Sequence, residues 1–321
     1  MKLGVIGTGA ITRSMLAEYQ NCDKFEINAI CSRSEQKGWT MAKDFSIPKV
    51  YTNLPDMLAD PEIEIIYVAT PNSVHFTQAK ASLQAGKHVI CEKPFTPTVA
   101  EAMELIELAR QKHLLLFEAI TLAHHPHYQY IRNNLDKLGK LKIVTATFCQ
   151  FSSRYPALLA GNPSPVLNHE FAGGALMDIN LYNVHFIVGL FGAPKSVRYF
   201  PNRHESGVDT SGILILEYED FWCQCTAAKD SAGHNGVQII GTDGYMEVTP
   251  SSSNCQTVEL NVRGYAPETV HLPENPWYHE VQDLGRLFAA GDYDFCYESL
   301  RTTLDVVAVL EKARKYAGFD F

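Results

Sequence analysis

The opening of the chain constrains its fold more than any other feature: an apolar, strand-like run at residues 3–6 leads straight into Gly7-Thr8-Gly9-Ala10-Ile11-Thr12 and then into a helical pattern. Two glycines between a strand and a helix suit a phosphate. Gly7 permits the tight turn and Gly9 lets the backbone approach a pyrophosphate. The helix start offers free N–H groups at the positive end of its dipole. Gly7, Thr8, Gly9, Ala10 and Ile11 are therefore candidate dinucleotide-binding residues. Thr12 replaces the usual third small residue and should fit less closely against the strand. Such a turn is weak by itself and strong where it opens an array of strand–helix repeats.

That array is present. Up to about residue 120, apolar runs at 3–6, 27–31, 65–69, 88–91 and 114–117 alternate with helical stretches such as 74–85 and 98–112, the signature of βαβ units on a parallel sheet. The runs are nearly continuous, as expected when helices cover both sheet faces. After residue 120 the rhythm changes. Alternating segments at 141–151, 196–200, 212–218, 222–228, 237–240 and 258–262 predict one large, mostly antiparallel open sheet, with Gly241-Thr242-Asp243-Gly244 as a hairpin turn. A Pro- and Gly-rich loop at 155–174 interrupts it, and the tail returns to helix at 278–290 and 300–317. The expected fold class is α/β. A Rossmann domain with a doubly wound parallel sheet spans 1–120, and an α+β domain spans 121–321.

Composition excludes several functions. A net charge of -9 argues against a nucleic-acid or anionic-membrane surface, since phosphate binding needs a positive field. Residues 1–7 carry no small-residue cleavage site, and no apolar stretch approaches the roughly 20 residues that cross a bilayer. The eight cysteines are scattered without a C-x-x-C pair, so they read as packing thiols in a cytoplasmic protein. His124, His125 and His127 have no carboxylate partner at ligand spacing. They are expected as partly exposed residues at a helix start, and no metal site is predicted.

The second strand should end in the group that meets the adenosine ribose. Here it ends Cys31-Ser32-Arg33-Ser34, with no carboxylate to pair with ribose hydroxyls. Ser32 and Arg33 offer a hydroxyl and a guanidinium fork suited to a 2′-phosphate, which favours NADP and leaves NAD as the alternative.

Three further segments join the glycine turn: Ala69-Thr70-Pro71-Asn72-Ser73-Val74-His75, Cys91-Glu92-Lys93-Pro94, and Gly173-Gly174-Ala175-Leu176-Met177-Asp178-Ile179-Asn180-Leu181-Tyr182. Together they resemble the Gfo/Idh/MocA family of oxidoreductases over essentially the whole chain. Tyr182 stands where that family usually has His, and Asn180 where Gly is commoner. With Glu118-Ala119-Ile120, Tyr182 looks most similar to the dimeric dihydrodiol dehydrogenase branch, although Ala123 departs from the Arg usual there. The resemblance implies an NAD(P)-dependent dehydrogenase or reductase acting on a small polyol, sugar, diol or dicarbonyl, and a homodimer formed through the second domain's sheet. It implies cofactor contacts at Thr70, Pro71, Asn72, His75, Glu92 and Lys93, with Lys93 also at the substrate oxygen.

The chemistry then assigns roles. Hydride loss from a carbinol carbon requires its O–H proton to leave, so a general base must stand on the oxygen. Tyr182 is the candidate, and bringing a phenol from about 10 to near neutrality takes about 3 kcal/mol in favour of the phenolate. The Lys93 ammonium can supply it. Asp178, four residues before Tyr182, shares its helical face. A carboxylate there would raise the phenol's pKa, so it is expected to orient substrate or Lys93. The plain alternatives are a half-buried aromatic for Tyr182 and a helix-start charge for Asp178. Arg154, Tyr155 and His169 are possible pocket residues. Rival functions are a redox-cycling glycosidase or lyase with tightly held nicotinamide, and a non-catalytic NAD(P) sensor.

Overall fold

Apolar runs form the first sheet. In the computed structural model, which describes residues 1–319, β1 (Lys2–Ile6), β2 (Glu26–Cys31), β3 (Lys49–Tyr51), β4 (Ile65–Val68), β5 (His88–Glu92) and β6 (Leu116–Ala119) lie parallel in the order β3-β2-β1-β4-β5-β6. Chain order reverses beside β1, and open α/β sheets bind ligands at that switch point, outside the carboxyl ends of the strands. The crossovers are α1 (Ala10–Gln20), α2 (Glu35–Asp44), α3 (Leu54–Ala59), α4 (His75–Gln84) and α5 (Val99–Gln111). Local chemistry sets their starts. Ser34 caps α2, and Thr98 with Glu101 forms a capping box on α5. β3 has three residues at the sheet edge, too few to show a period, and the sequence pattern does not reveal it.

This first unit comprises Met1–Ile120 together with Trp277–Leu304. The returning helix, α10 by position in the chain (Pro276–Ala290), is amphipathic and buries Val281, Leu284, Leu287 and Phe288. The Phe288 ring meets Phe25, His88 and Phe117 edge-on, with centroids 6.2, 5.8 and 5.3 Å away. Burying a side chain of this size is worth about 1.5–3 kcal/mol. The final helix, α11 (Tyr293–Ala317), contributes its opening turns to the same unit.

The second unit joins Thr121–Pro276 to the chain from Asp305 on. Its helices are α6 (Thr121–His124), α7 (Pro126–Asn134), α8 (Tyr155–Leu159) and α9 (Leu181–Phe191). Its strands are β7 (Leu141–Cys149), β8 (Ser196–Arg203), β9 (Asp209–Glu217), β10 (Trp222–Ala228), β11 (Gly236–Gly241), β12 (Gly244–Thr249), β13 (Thr257–Val262) and β14 (Glu268–His271). They form one sheet ordered β14-β13-β12-β11-β7-β10-β9-β8, antiparallel except for the parallel pair β7–β10. Side chains alternate between faces. Val144, Ala146, Leu214, Leu216, Cys223 and Cys225 are buried, while Ile143, Ile213 and Trp222 point the other way and stay exposed. Burial pushes the Cys223 and Cys225 thiols up, as suits packing groups.

Two expectations need correction. The helical run His169–Phe191 is long and apolar enough to cross a membrane by composition, but 72% of its apolar window is buried, the situation of a core helix. The three histidines around Pro126 are buried instead of partly exposed. Pro126 starts α7, His125 Nδ1 accepts from the His127 N–H at 3.3 Å, and His127 Nδ1 lies 2.7 Å from the Cys255 carbonyl, so the turn faces inward.

Candidate active site

In the first unit the predicted cofactor residues gather at the carboxyl ends of β1, β2, β4 and β5. Gly7 follows β1 with φ +119°, and a Cβ there would run into the Ala69 carbonyl oxygen. Only glycine suits that position. Gly9 differs: a Cβ on it would meet nothing within 4 Å, so its missing side chain leaves open space over the start of α1. Gly9 is the N-cap of α1, no side chain caps that end, and the first turn holds no acidic residue. Thr8 is half-buried, and Ala10 and Ile11 begin the helix. Thr12 is fully buried, with no hydrogen-bond partner for its hydroxyl among the described residues. The sheet thus accepts the larger residue.

At the end of β2 the Ser32 hydroxyl donates to the Ser34 carbonyl at 2.9 Å and accepts from the Ser34 N–H at 3.3 Å. Arg33 is exposed. Of the two groups read as suited to a 2′-phosphate, the guanidinium is therefore the accessible one.

The loop after β4 and the loop after β5 are stitched together by a residue that lies behind them. His75 is fully buried, with Nε2 2.8 Å from the Thr70 carbonyl and Nδ1 2.9 Å from the Pro94 carbonyl. Burial pushes its pKa down against the pull of these two acceptors, and a neutral ring donates to only one of them. The Thr70 hydroxyl donates to Gln78 at 2.7 Å, and Pro71 and Asn72 open a short 3-10 turn. Lys93, half-buried and joined to Pro94 by a cis peptide bond, sits on the stitched loop. The loop is also held from β6, where Glu118 accepts from the Phe95 N–H at 3.1 Å and from Thr303 at 2.8 Å.

Next to Lys93 in sequence, Glu92 belongs to an acidic core whose Glu280 the sequence reading did not name. Glu92 is buried and accepts from the Tyr67 hydroxyl at 2.5 Å, and burial pushes its pKa up. Glu280 of α10 is buried too. Its Oε1 has no hydrogen-bond partner among the described residues, and desolvation, reinforced by Glu92 and Glu118, drives its carboxyl well above the usual range. Tyr19 packs on Tyr67 with ring centroids 5.5 Å apart.

In the second unit Asp178 lies in a π-helical turn, Leu176–Asn180, that runs into α9 and Tyr182. The step from Asp178 to Tyr182 therefore crosses i→i+5 geometry, and the plain α-helical spacing assumed from sequence does not apply. Such turns recur at functional sites. The segment is anchored at both ends. Asp209 accepts from the Leu176 N–H at 2.7 Å and from the Tyr199 hydroxyl at 2.6 Å. The Asn180 amide donates to the Cys225 carbonyl at 3.4 Å, which gives a reason for an amide where glycine is commoner. Tyr182 is half-buried against Phe148, ring centroids 6.0 Å apart.

Two charged residues here were not foreseen. Lys229, buried at the end of β10, forms an ion pair with Asp178, so that carboxylate does not act on Tyr182 alone. Asp209 is fully buried, and desolvation holds its pKa up despite two donors. A charged residue at the edge of each of two strand-like apolar runs was the available signal, since such residues are seldom buried without a partner. Arg154 and Tyr155 start α8, and His169 opens a 3-10 turn whose cap is Asn168.

Comparison with known proteins agrees with this architecture. Residues 1–120 match a family described as an oxidoreductase family with an NAD-binding Rossmann fold, and residues 128–247 match the GFO/IDH/MocA C-terminal domain. The chain is 30% identical over 320 residues to the scyllo-inositol 2-dehydrogenase (NADP(+)) of Bacillus subtilis (strain 168), covering 99% of this chain and 97% of that protein. It is 30% identical over 275 residues to the trans-1,2-dihydrobenzene-1,2-diol dehydrogenase of Homo sapiens, covering 82% and 78%. Among solved structures, a 3-ketoreductase from Actinomadura kijaniata in complex with NADP and TDP-benzene superposes with a TM-score of 0.85 at 24% identity, covering 98% of each chain, a likeness of fold.

Proposed function

The chain belongs to the Gfo/Idh/MocA family of NAD(P)-dependent oxidoreductases, and from that premise we propose that it moves a hydride between NADP and a small polyol, sugar, diol or dicarbonyl. Supporting this most directly is the gathering of the glycine turn, Arg33, the Thr70–Asn72 loop and Lys93 at the carboxyl edge of one parallel sheet. The residues present fit a dinucleotide. Gly9 leaves a space that a side chain would fill, above an uncapped helix start. Arg33 carries the preference for a 2′-phosphate, and the relative from Bacillus subtilis is named for NADP.

When bound, the nicotinamide supplies a hydride acceptor or donor at C4. The remaining work falls to side chains. Tyr182 takes the hydroxyl proton during oxidation and returns it during reduction. The Lys93 ammonium favours the phenolate and stabilises developing negative charge on the substrate oxygen. Asp178 accepts a hydrogen bond from a second substrate hydroxyl. His75 and Glu118 hold the Lys93 loop in place, and Asp209 holds the start of the turn that bears Asp178.

The test is a panel of polyols, sugars, diols and dicarbonyls, scored by net change in nicotinamide absorbance with NADP and NAD. Stoichiometric conversion of NADP with a polyol, or of NADPH with a dicarbonyl, is the expected result. Substrate cleavage without net cofactor change would replace this reading by a redox-cycling lyase or glycosidase. Cofactor binding without turnover of any compound would leave a sensor.

The same reading includes a homodimer. On the open face of the second unit's sheet, Ile143, Phe200, Ile213 and Trp222 are 48, 52, 42 and 46% exposed. Trp222 is paired with Ile143 and Phe200 with Ile213, so the face carries two exposed apolar pairs. Exposed apolar pairs on one sheet face suit a two-fold partner. Light scattering at micromolar concentration should give twice the chain mass, and a monomer would remove the dimer from the proposal.

A further inference from the structure

We infer that Lys229 is a positioning residue for substrate recognition: it holds Asp178 as an outward-facing anion that accepts a hydrogen bond from a hydroxyl next to the reacting carbinol, and so makes the site selective for adjacent hydroxyls. This rests on the oxidoreductase reading above and adds to it a residue and a reason for selectivity.

The geometry carries the argument. Lys229 Nζ donates to Asp178 Oδ2, and the two side chains differ in exposure, 7% for the lysine and 19% for the aspartate. The ammonium is the inner member and the carboxylate the outer one. Neither partner is loosely held. The Lys229 N–H donates to the Thr210 carbonyl at 2.7 Å, and its own carbonyl accepts from the Ser152 N–H at 2.8 Å. The turn bearing Asp178 is anchored by Asp209 at Leu176 and by Asn180 on Cys225.

Buried ion pairs of this kind are seldom better for stability than apolar residues of the same shape, so their retention asks for another explanation. A carboxylate paired to a buried ammonium stays ionised, and an ionised carboxylate is an acceptor only. A neutral hydroxyl can donate to it, whereas a second carbonyl or a hydrocarbon cannot. A polyol with two neighbouring hydroxyls can then offer one to oxidation and the other to Asp178. A monofunctional alcohol has nothing for that anion.

The experiment is steady-state kinetics of the full chain with NADP and the best polyol of the panel, for Lys229→Met, Lys229→Arg, Asp178→Asn and the double variant Asp178→Asn/Lys229→Gln. NADPH affinity is followed by fluorescence titration. Lys229→Met should raise KM for the polyol about tenfold or more, the worth of a hydrogen bond to a charged group, with a smaller fall in kcat and unchanged NADPH affinity. Lys229→Arg should restore most of the loss. In the Asp178→Asn background the lysine change should leave KM unmoved, because Lys229 acts only through Asp178. A Lys229→Met protein that loses Tm and active fraction while keeping wild-type KM overturns the inference. So does a further rise of KM in the double variant over Asp178→Asn, a comparison that decides the matter even if Lys229→Met does not fold. Absence of wild-type turnover with every compound removes the oxidoreductase reading and this inference together. Wild-type turnover with an indifferent Lys229 removes the inference alone.

Discussion

The carboxylate of Asp209 occupies the space into which a side chain on Gly174 would have to project. Gly174 has φ +121°, in the region that favours glycine, and Asp209 uses the vacant volume to reach the Leu176 N–H. Gly174→Ala should therefore cost at least about 2 kcal/mol, from backbone strain and from displacement of a buried carboxylate. Urea unfolding measures it, and a loss below about 0.5 kcal/mol would show that Asp209 moves aside freely.

The two glycines of the first turn should behave differently. Gly7→Ala forces a side chain against the Ala69 carbonyl at φ +119° and should lower Tm markedly. Gly9→Ala meets no protein atom, so Tm should hold while NADP affinity falls about tenfold or more by calorimetry. Equal NADP affinity in Gly9→Ala would mean that nothing approaches the chain there.

Glu280 gives a pH-dependent prediction. Its folded pKa lies well above the unfolded value, so its contribution to stability is fully present below about pH 4.5 and is lost as pH rises toward the folded pKa. Glu280→Met removes that titration and fills the same space. Relative to wild type, its unfolding free energy should rise with pH across that window by up to about 1.4 kcal/mol per pH unit. A difference that does not vary with pH would place a partner on the carboxylate.

Tyr182→Phe removes the hydroxyl and leaves the ring on Phe148. It should lower kcat by about two to four orders of magnitude with NADPH affinity and Tm little changed. Unchanged kcat would take Tyr182 out of the chemistry.

Ser32→Asp places a carboxylate at the end of β2 beside exposed Arg33. The ratio of NADP to NAD in kcat/KM should shift toward NAD by about tenfold or more. An unaltered ratio would refute the assignment of the 2′-phosphate to this corner.

Much of the fold could be read from the chain because parallel strands covered on both faces are written as unbroken apolar runs. β12 escaped although it alternates exposed Tyr245 and Glu247 with buried Met246 and Val248, because only the hairpin turn at Gly241–Gly244 was read there; β14, four residues at the sheet edge, buries no side chain and so shows no apolar face. The glycine turn and Lys93 were legible for a local reason, since each directly follows a strand. Asp209 and Lys229 were not. Their partners lie 33 and 51 residues away in sequence, and no spacing rule reaches that far. Glu280 was hidden for the same reason, because its significance depends on Glu92 and Glu118, which it meets only after α10 has folded back.

That return has a consequence for how the protein is made. Synthesis runs from the N-terminus, yet the Phe288 ring that packs on Phe25, His88 and Phe117 belongs to a segment made much later. The nascent chain must carry an unfinished, greasy flank on its earliest-made layer while some 150 residues of the second unit emerge from the ribosome. The oldest part of the molecule waits on one of the youngest to be sealed.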